Sequence, residues 1–89
     1  MEIRIDKSFQ KDTRKIHDKK LLVKLAESIQ EIQNAENISQ IRNLKKLRGN
    51  INEYRIKIGD YRIGLLISND IVEFVRCLHR KDIYKYFPK

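Results

Sequence analysis

The 89-residue chain reads as one small α+β domain, residues 1–89. Its order is strand, helix, helix, then three consecutive antiparallel strands, with the helices packed on one face of the sheet. Three observations predict this. Apolar and polar residues alternate along 54–58, 61–67 and 71–78. The pairs Gly59-Asp60 and Asn69-Asp70 punctuate those runs as tight turns, and apolar residues recur at helical spacing along 22–32.

Taken in order, Glu2 to Asp6 alternates Ile3 and Ile5 with polar neighbours and forms a short strand. Ser8 is placed to cap a strongly basic helix over Phe9 to His17, its hydroxyl accepting from the free amides of the first turn. Asp18 caps a second helix, whose apolar face is Leu22, Leu25, Ala26, Ile29 and Ile32, ending near Asn34. Ala35 to Leu44 has no periodicity and is expected to be a loop or short turn, and Gly49 to Asn52 another turn. If Gly59-Asp60 is the whole hairpin loop, Ile58 faces Tyr61, Lys57 faces Arg62 and Arg55 faces Gly64. A two-residue Asn69-Asp70 loop pairs Ile67 with Val72, Leu65 with Phe74 and Ile63 with Arg76.

Alternation then sorts the side chains. Tyr54, Ile56, Ile58, Tyr61, Ile63, Leu65, Ile67, Val72 and Phe74 make the face on which the long helix packs. Arg55, Lys57, Arg62, Leu66, Glu73, Val75 and Cys77 lie on the other, part cationic and part apolar. Like charges directly opposite each other destabilise a sheet, so Lys57 facing Arg62, with Arg55 nearby and open space over Gly64, looks built to hold a polyanion. The apolar positions Leu66, Ile71 and Val75 on the same face call for a binding partner or for burial by this chain's own segments.

Composition narrows the function classes. The formal net charge of +8 points to phosphate-bearing or acidic partners; base composition of a genome can raise the total charge but does not explain its placement on the hairpin. Cys77 is the only cysteine, so there is no internal disulfide, and with the two histidines it forms no metal-ligand spacing. No metal or cofactor is expected. No stretch approaches a membrane span and the N-terminus lacks a signal-peptide apolar block, so the expectation is a cytoplasmic protein with no membrane partner.

Lys46-Leu-Arg-Gly49, Tyr54-Arg-Ile-Lys-Ile-Gly-Asp-Tyr-Arg62 and Leu78-His-Arg-Lys-Asp-Ile-Tyr84, in that order and spacing, resemble the RelE/ParE superfamily of toxins from toxin–antitoxin pairs. The resemblance covers essentially the whole chain and leans to the RelE branch, because the hairpin is basic where that branch has its functional residues. It implies a ribosome-dependent endoribonuclease that cuts messenger RNA in the A site, with a RelB-like cognate antitoxin, the ribosome and mRNA as partners. By that match Arg55 and Lys57 take the two basic positions of the first hairpin strand, and Arg62 the arginine opening the next. Arg80 takes the arginine after the last strand, and Tyr84 the tyrosine that stacks on a base, with Tyr86 the alternative.

The implied reaction is attack of an RNA 2′-hydroxyl on the adjacent phosphate with departure of the 5′-oxygen. It needs a base, stabilisation of a more negative transition state and a proton for the leaving group. Arg55 stands where the RelE pattern often has lysine, and arginine does not act as a proton acceptor. Lys57 is therefore the one candidate base on this strand, or else one more cation on the phosphate. Arg62 would clamp the scissile phosphate, and Arg80 would stabilise the transition state or protonate the leaving oxygen. Lys45, Lys46, Arg48 and Lys81 are RNA-backbone candidates, contacts that position without reading sequence. Alternation from Cys77 puts His79 on the cationic side as a further RNA contact; a histidine at a strand end also serves structure alone. Two rivals stand beside this reading: a ParE-like inhibitor of DNA gyrase, and a non-catalytic nucleic-acid-binding module.

Overall fold

A computed structural model describes residues 1–47 and 51–88. The chain runs β1 (Glu2–Ile5), α1 (Lys7–Arg14), α2 (Lys19–Asn34), a 3₁₀ turn (Ile38–Gln40), β2 (Leu44–Lys46), β3 (Glu53–Ile58), β4 (Tyr61–Ser68), β5 (Ile71–His79) and α3 (Ile83–Tyr86). The strands form one sheet in the order β1-β5-β4-β3-β2. β1 is parallel to β5, and the other pairs are antiparallel. The predicted α+β order is borne out, with two additions: β2, too short at three residues to show a period, and α3.

α1 begins earlier than its predicted cap. Asp6, not Ser8, is the N-cap, its carboxylate accepting from Ser8 N at 3.1 Å. Ser8 is committed elsewhere, its hydroxyl donating to Val75 O at 2.6 Å. β1 stops alongside Phe74, so among the described residues the rest of that β5 edge has no neighbouring strand. Side chains of α1 take the strand's place: Ser8 serves Val75 O, and Asp12 accepts from Cys77 N at 3.0 Å. Backbone polar groups shielded from water need such partners.

Asp18 caps α2 as predicted, accepting from Lys20 N and Leu21 N. The stripe α2 buries is Leu21, Leu25 and Ile32, with Ile29 packed partly against the core. Leu22 and Ala26, predicted to face inward, are exposed. The sequence offers a stripe wider than the sheet can cover, and its centre falls one residue from the predicted line.

The main core lies between the sheet and α1/α2, around Phe9, Ile56, Ile63, Leu65, Val72 and Phe74. A second cluster, Leu47, Val75, Ile83 and Phe87 with Leu66 and Leu78 beside it, lies on the opposite face. The helices therefore do not all pack on one face. Of the two readings of the apolar positions, the chain's own segments account for Val75 and part of Leu66, which pack against the C-terminal turn; Ile71 is half-buried.

Candidate functional site

The hairpin is as predicted. Gly59 adopts φ +55°, which a glycine accepts without steric cost, and Ile58 pairs with Tyr61, Lys57 with Arg62, and Arg55 with Gly64. β2 adds a further cation by pairing Lys45 with Arg55. Lys45, Arg55, Lys57 and Arg62 thus share one face on three adjacent strands. Directly opposed residues have Cβ atoms about 4.5–5.5 Å apart, so this is a dense cationic patch.

Its members are not equally free. Arg62 relieves the repulsion with Lys57 by turning toward the hairpin tip, its Nη1 donating to Gly59 O and Tyr61 O at 3.0 Å each. Arg55 Nη1 reaches Asn43 O at 3.4 Å, while its Nε is buried with no hydrogen-bond partner among the described residues. Lys45 and Lys57 are exposed.

The space expected above Gly64 is filled. A Cβ placed there would lie 2.6–3.0 Å from three ring atoms of Phe87, so the C-terminal tail lies directly over the cationic face. Tyr84, 58% exposed, shares with Lys45, Lys46, Leu47 and Pro88 a cleft of about 470 Å³. Tyr86 points elsewhere, its ring under the Arg76 guanidinium at 5.0 Å. Of the two tyrosines, Tyr84 is the one that lies beside the β2 lysines at the border of the cationic face.

Arg80 is drawn to the same end of the sheet: its N–H donates to Asp60 O at 2.7 Å and its guanidinium lies 3.9 Å from the Asp60 carboxylate. Lys81 is exposed next to it, its amide donating to His79 Nδ1 at 3.2 Å. Arg48 lies outside the described residues.

His79 does not join the cationic face. The β4–β5 register slips between Gly64 and Leu65: Leu65 pairs with Phe74 but Gly64 with Arg76, leaving Val75 as an extra residue on β5. A bulge of this kind reverses the alternation beyond it. Ile63 consequently pairs with Cys77 rather than Arg76, and Cys77 joins the main core, where burial pushes its thiol up to about 12. His79 pairs with Tyr61 on the helix side, their rings 5.7 Å apart and edge-on. It lines a separate cleft of about 380 Å³ that includes Asp12, Lys15, Arg76 and Tyr86.

Arg76, missed from sequence, sits opposite Gly64 and grips Asp12 through Nε (2.7 Å) and Nη2 (3.0 Å). These bonds hold its guanidinium above its ordinary value, so it is a fixed structural cation. Phe87 was also missed; the available signal was Gly64, a glycine inside an alternating strand with no turn to explain it.

The chain matches the family model for the ParE toxin of type II toxin-antitoxin system, parDE, over residues 3–84. It is similar to Toxin RelE3 of Methanocaldococcus jannaschii, 41% identical over 91 residues that span 99% of this chain and 100% of that protein. Among solved structures it resembles the RelB-RelE antitoxin-toxin complex from Methanococcus jannaschii, with a TM-score of 0.82 and 36% identity, covering 96% of this chain and 99% of the matched one. The RelBE2 complex of Mycobacterium tuberculosis shares the fold at TM-score 0.60 and 19% identity, over 89% of this chain and 96% of the other. Full-length similarity, the matching family model and the common sheet agree: this chain belongs to the RelE/ParE family of toxins of type II toxin–antitoxin systems.

Proposed function

We propose that this toxin is a ribosome-dependent endoribonuclease that cleaves messenger RNA in the A site by 2′-hydroxyl attack on the adjacent phosphate, so stopping translation. The observation that carries the reading is the shared face of Lys45, Arg55, Lys57 and Arg62, with Tyr84 at its border and Arg80 at the hairpin tip. A phosphate approaching this face meets several cations carried by adjacent strands, an arrangement suited to a transition state gaining negative charge. Arg62 clamps the phosphate once the anion displaces the weaker neutral carbonyls that now hold its guanidinium. Because Arg55 stays charged, Lys57 is the one residue of this strand that can serve as proton acceptor; its other role is one more cation on the phosphate. Tyr84 stacks on a base, and Lys45, Lys46 and Lys81 follow the backbone.

A cognate antitoxin silences the protein. This is supported by the M. jannaschii relative, whose structure is a RelB-RelE complex. The part of the mixed face that α3 leaves uncovered, a cleft of about 300 Å³ containing Arg4, Leu66, Ile71 and Glu73, is the surface available to it. Acting on ribosomes places the toxin in the cytoplasm.

The test is primer extension on a defined message in a reconstituted translation system, with and without ribosomes, comparing wild type with Arg62→Ala and Arg80→Ala. New ends inside A-site codons, present only with ribosomes and lost in both variants, are expected. Intact message with toxicity retained in cells would instead direct attention to gyrase, the reading favoured by the ParE name of the matching family model. Salt-sensitive binding to free nucleic acid without cleavage or toxicity would leave a binding module.

A further inference from the structure

Two buried side chains hold the C-terminal turn, and together they fix where Tyr84 stands. Ile83 is 0% and Phe87 2% exposed, and Phe87 N–H donates to Ile83 O at 2.8 Å. The turn between them cannot rotate without uncovering one or the other, and Tyr84 projects from it at 58% exposure.

The slot that receives Phe87 is specific. Gly64 lies in the middle of β4, where glycine weakens a strand through lost backbone entropy and a missing side chain. Even an alanine Cβ there would stand 2.6 Å from the nearest Phe87 ring atom, closer than packed atoms approach. Gly64 is also the central member of a row that crosses the sheet: Lys45 pairs with Arg55, Arg55 with Gly64, and Gly64 with Arg76. The ring of Phe87 is therefore seated within the row of cations, and Lys45 at its end shares a cleft with Tyr84. A base on Tyr84 and a phosphate on the Arg55 row can belong to one RNA strand only if the distance between them is held.

We infer that Gly64 and Phe87 form a lock that positions Tyr84 against the cationic row, making Phe87 a positioning residue that acts through Tyr84. The inference rests on the ribosome-dependent cleavage proposed above and adds a part that the cleavage chemistry does not itself require.

A double-mutant cycle in ribosome-dependent cleavage by the full chain tests it, using Tyr84→Ala, Phe87→Ala and the double variant. Gly64→Ala changes the opposite wall, and Phe87→Leu is the conservative replacement. Tyr84→Ala and Phe87→Ala are each expected to lower kcat/KM by roughly tenfold, the size of one lost base stack. The double variant loses no more than either single, Gly64→Ala adds nothing in the Tyr84→Ala background, and Phe87→Leu restores most of the rate. Thermal melts of the same variants, with rates compared well below the lowest Tm, separate folding from positioning: Tyr84→Ala leaves Tm in place while Phe87→Ala lowers it. Additive losses, or a Phe87→Ala protein cutting at the wild-type rate, overturn the inference alone. A wild type that cuts nothing on ribosomes overturns the parent reading and this one with it, and that is seen before any variant is compared.

Discussion

Lys57 and Asp12 are the residues whose roles separate most cleanly under substitution. Lys57→Arg keeps the positive charge opposite Arg62 but removes the ability to accept a proton. If Lys57 is the base, ribosome-dependent kcat falls by roughly 10²-fold or more, the usual scale of general-base loss; near-wild-type turnover makes it an electrostatic group. Asp12 is buried, 6% exposed, and satisfies three donors: Arg76 Nε, Arg76 Nη2 and Cys77 N. Asp12→Ala strands both a guanidinium and an edge amide, and a loss of about 3 kcal/mol is expected in urea denaturation. Asp12→Asn, which keeps an acceptor for Cys77 N, costs less. Neither partnership was readable from sequence, because Asp12 and Arg76 are far apart in the chain and no local pattern links them.

Among the elements, α2 shows how periodicity can find a helix and still misplace its face. Leu22 and Leu25 both fit the helical stripe, yet Leu25 is 4% exposed and Leu22 37%. Leu25→Ala is expected to cost about 3 kcal/mol through lost burial and a residual cavity, and Leu22→Ala under about 0.5 kcal/mol, as at a surface site. Thermal or urea melts of the pair decide this directly; equal losses would put Leu22 inside the buried stripe, on the line that periodicity predicts. The hairpin was more legible than the helix face, since a two-residue turn fixes strand pairing locally and every predicted β3–β4 pair is found. β5 escaped because its bulge at Val75 is a tertiary accommodation. Alternation read through it sent Cys77 and His79 to the wrong face.

On the scale of the whole molecule, charge and shape act together. The net charge of +8 produces a long-range field that draws in a polyanion. If Lys45, Arg55, Lys57 and Arg62 each contact one phosphate, log affinity for a non-cleavable single-stranded RNA should fall with log salt at a slope near −3, from about −0.7 per contact. Lys45→Ala should flatten that slope by about 0.7. A slope unchanged in Lys45→Ala would remove Lys45 from the contact surface. What the sequence by itself determined is whatever depends on neighbours in the chain: the α+β order, the Asp18 cap, the Gly59-Asp60 hairpin and, through it, the cationic row. Tertiary structure alone decided which tyrosine stands at the end of that row, that Asp12 would take the edge amide of Cys77 and Ser8 the edge carbonyl of Val75, and that the space over Gly64 belongs to Phe87. Those outcomes depend on contacts between distant segments, and alternation carries no information about which distant side chain will fill a gap.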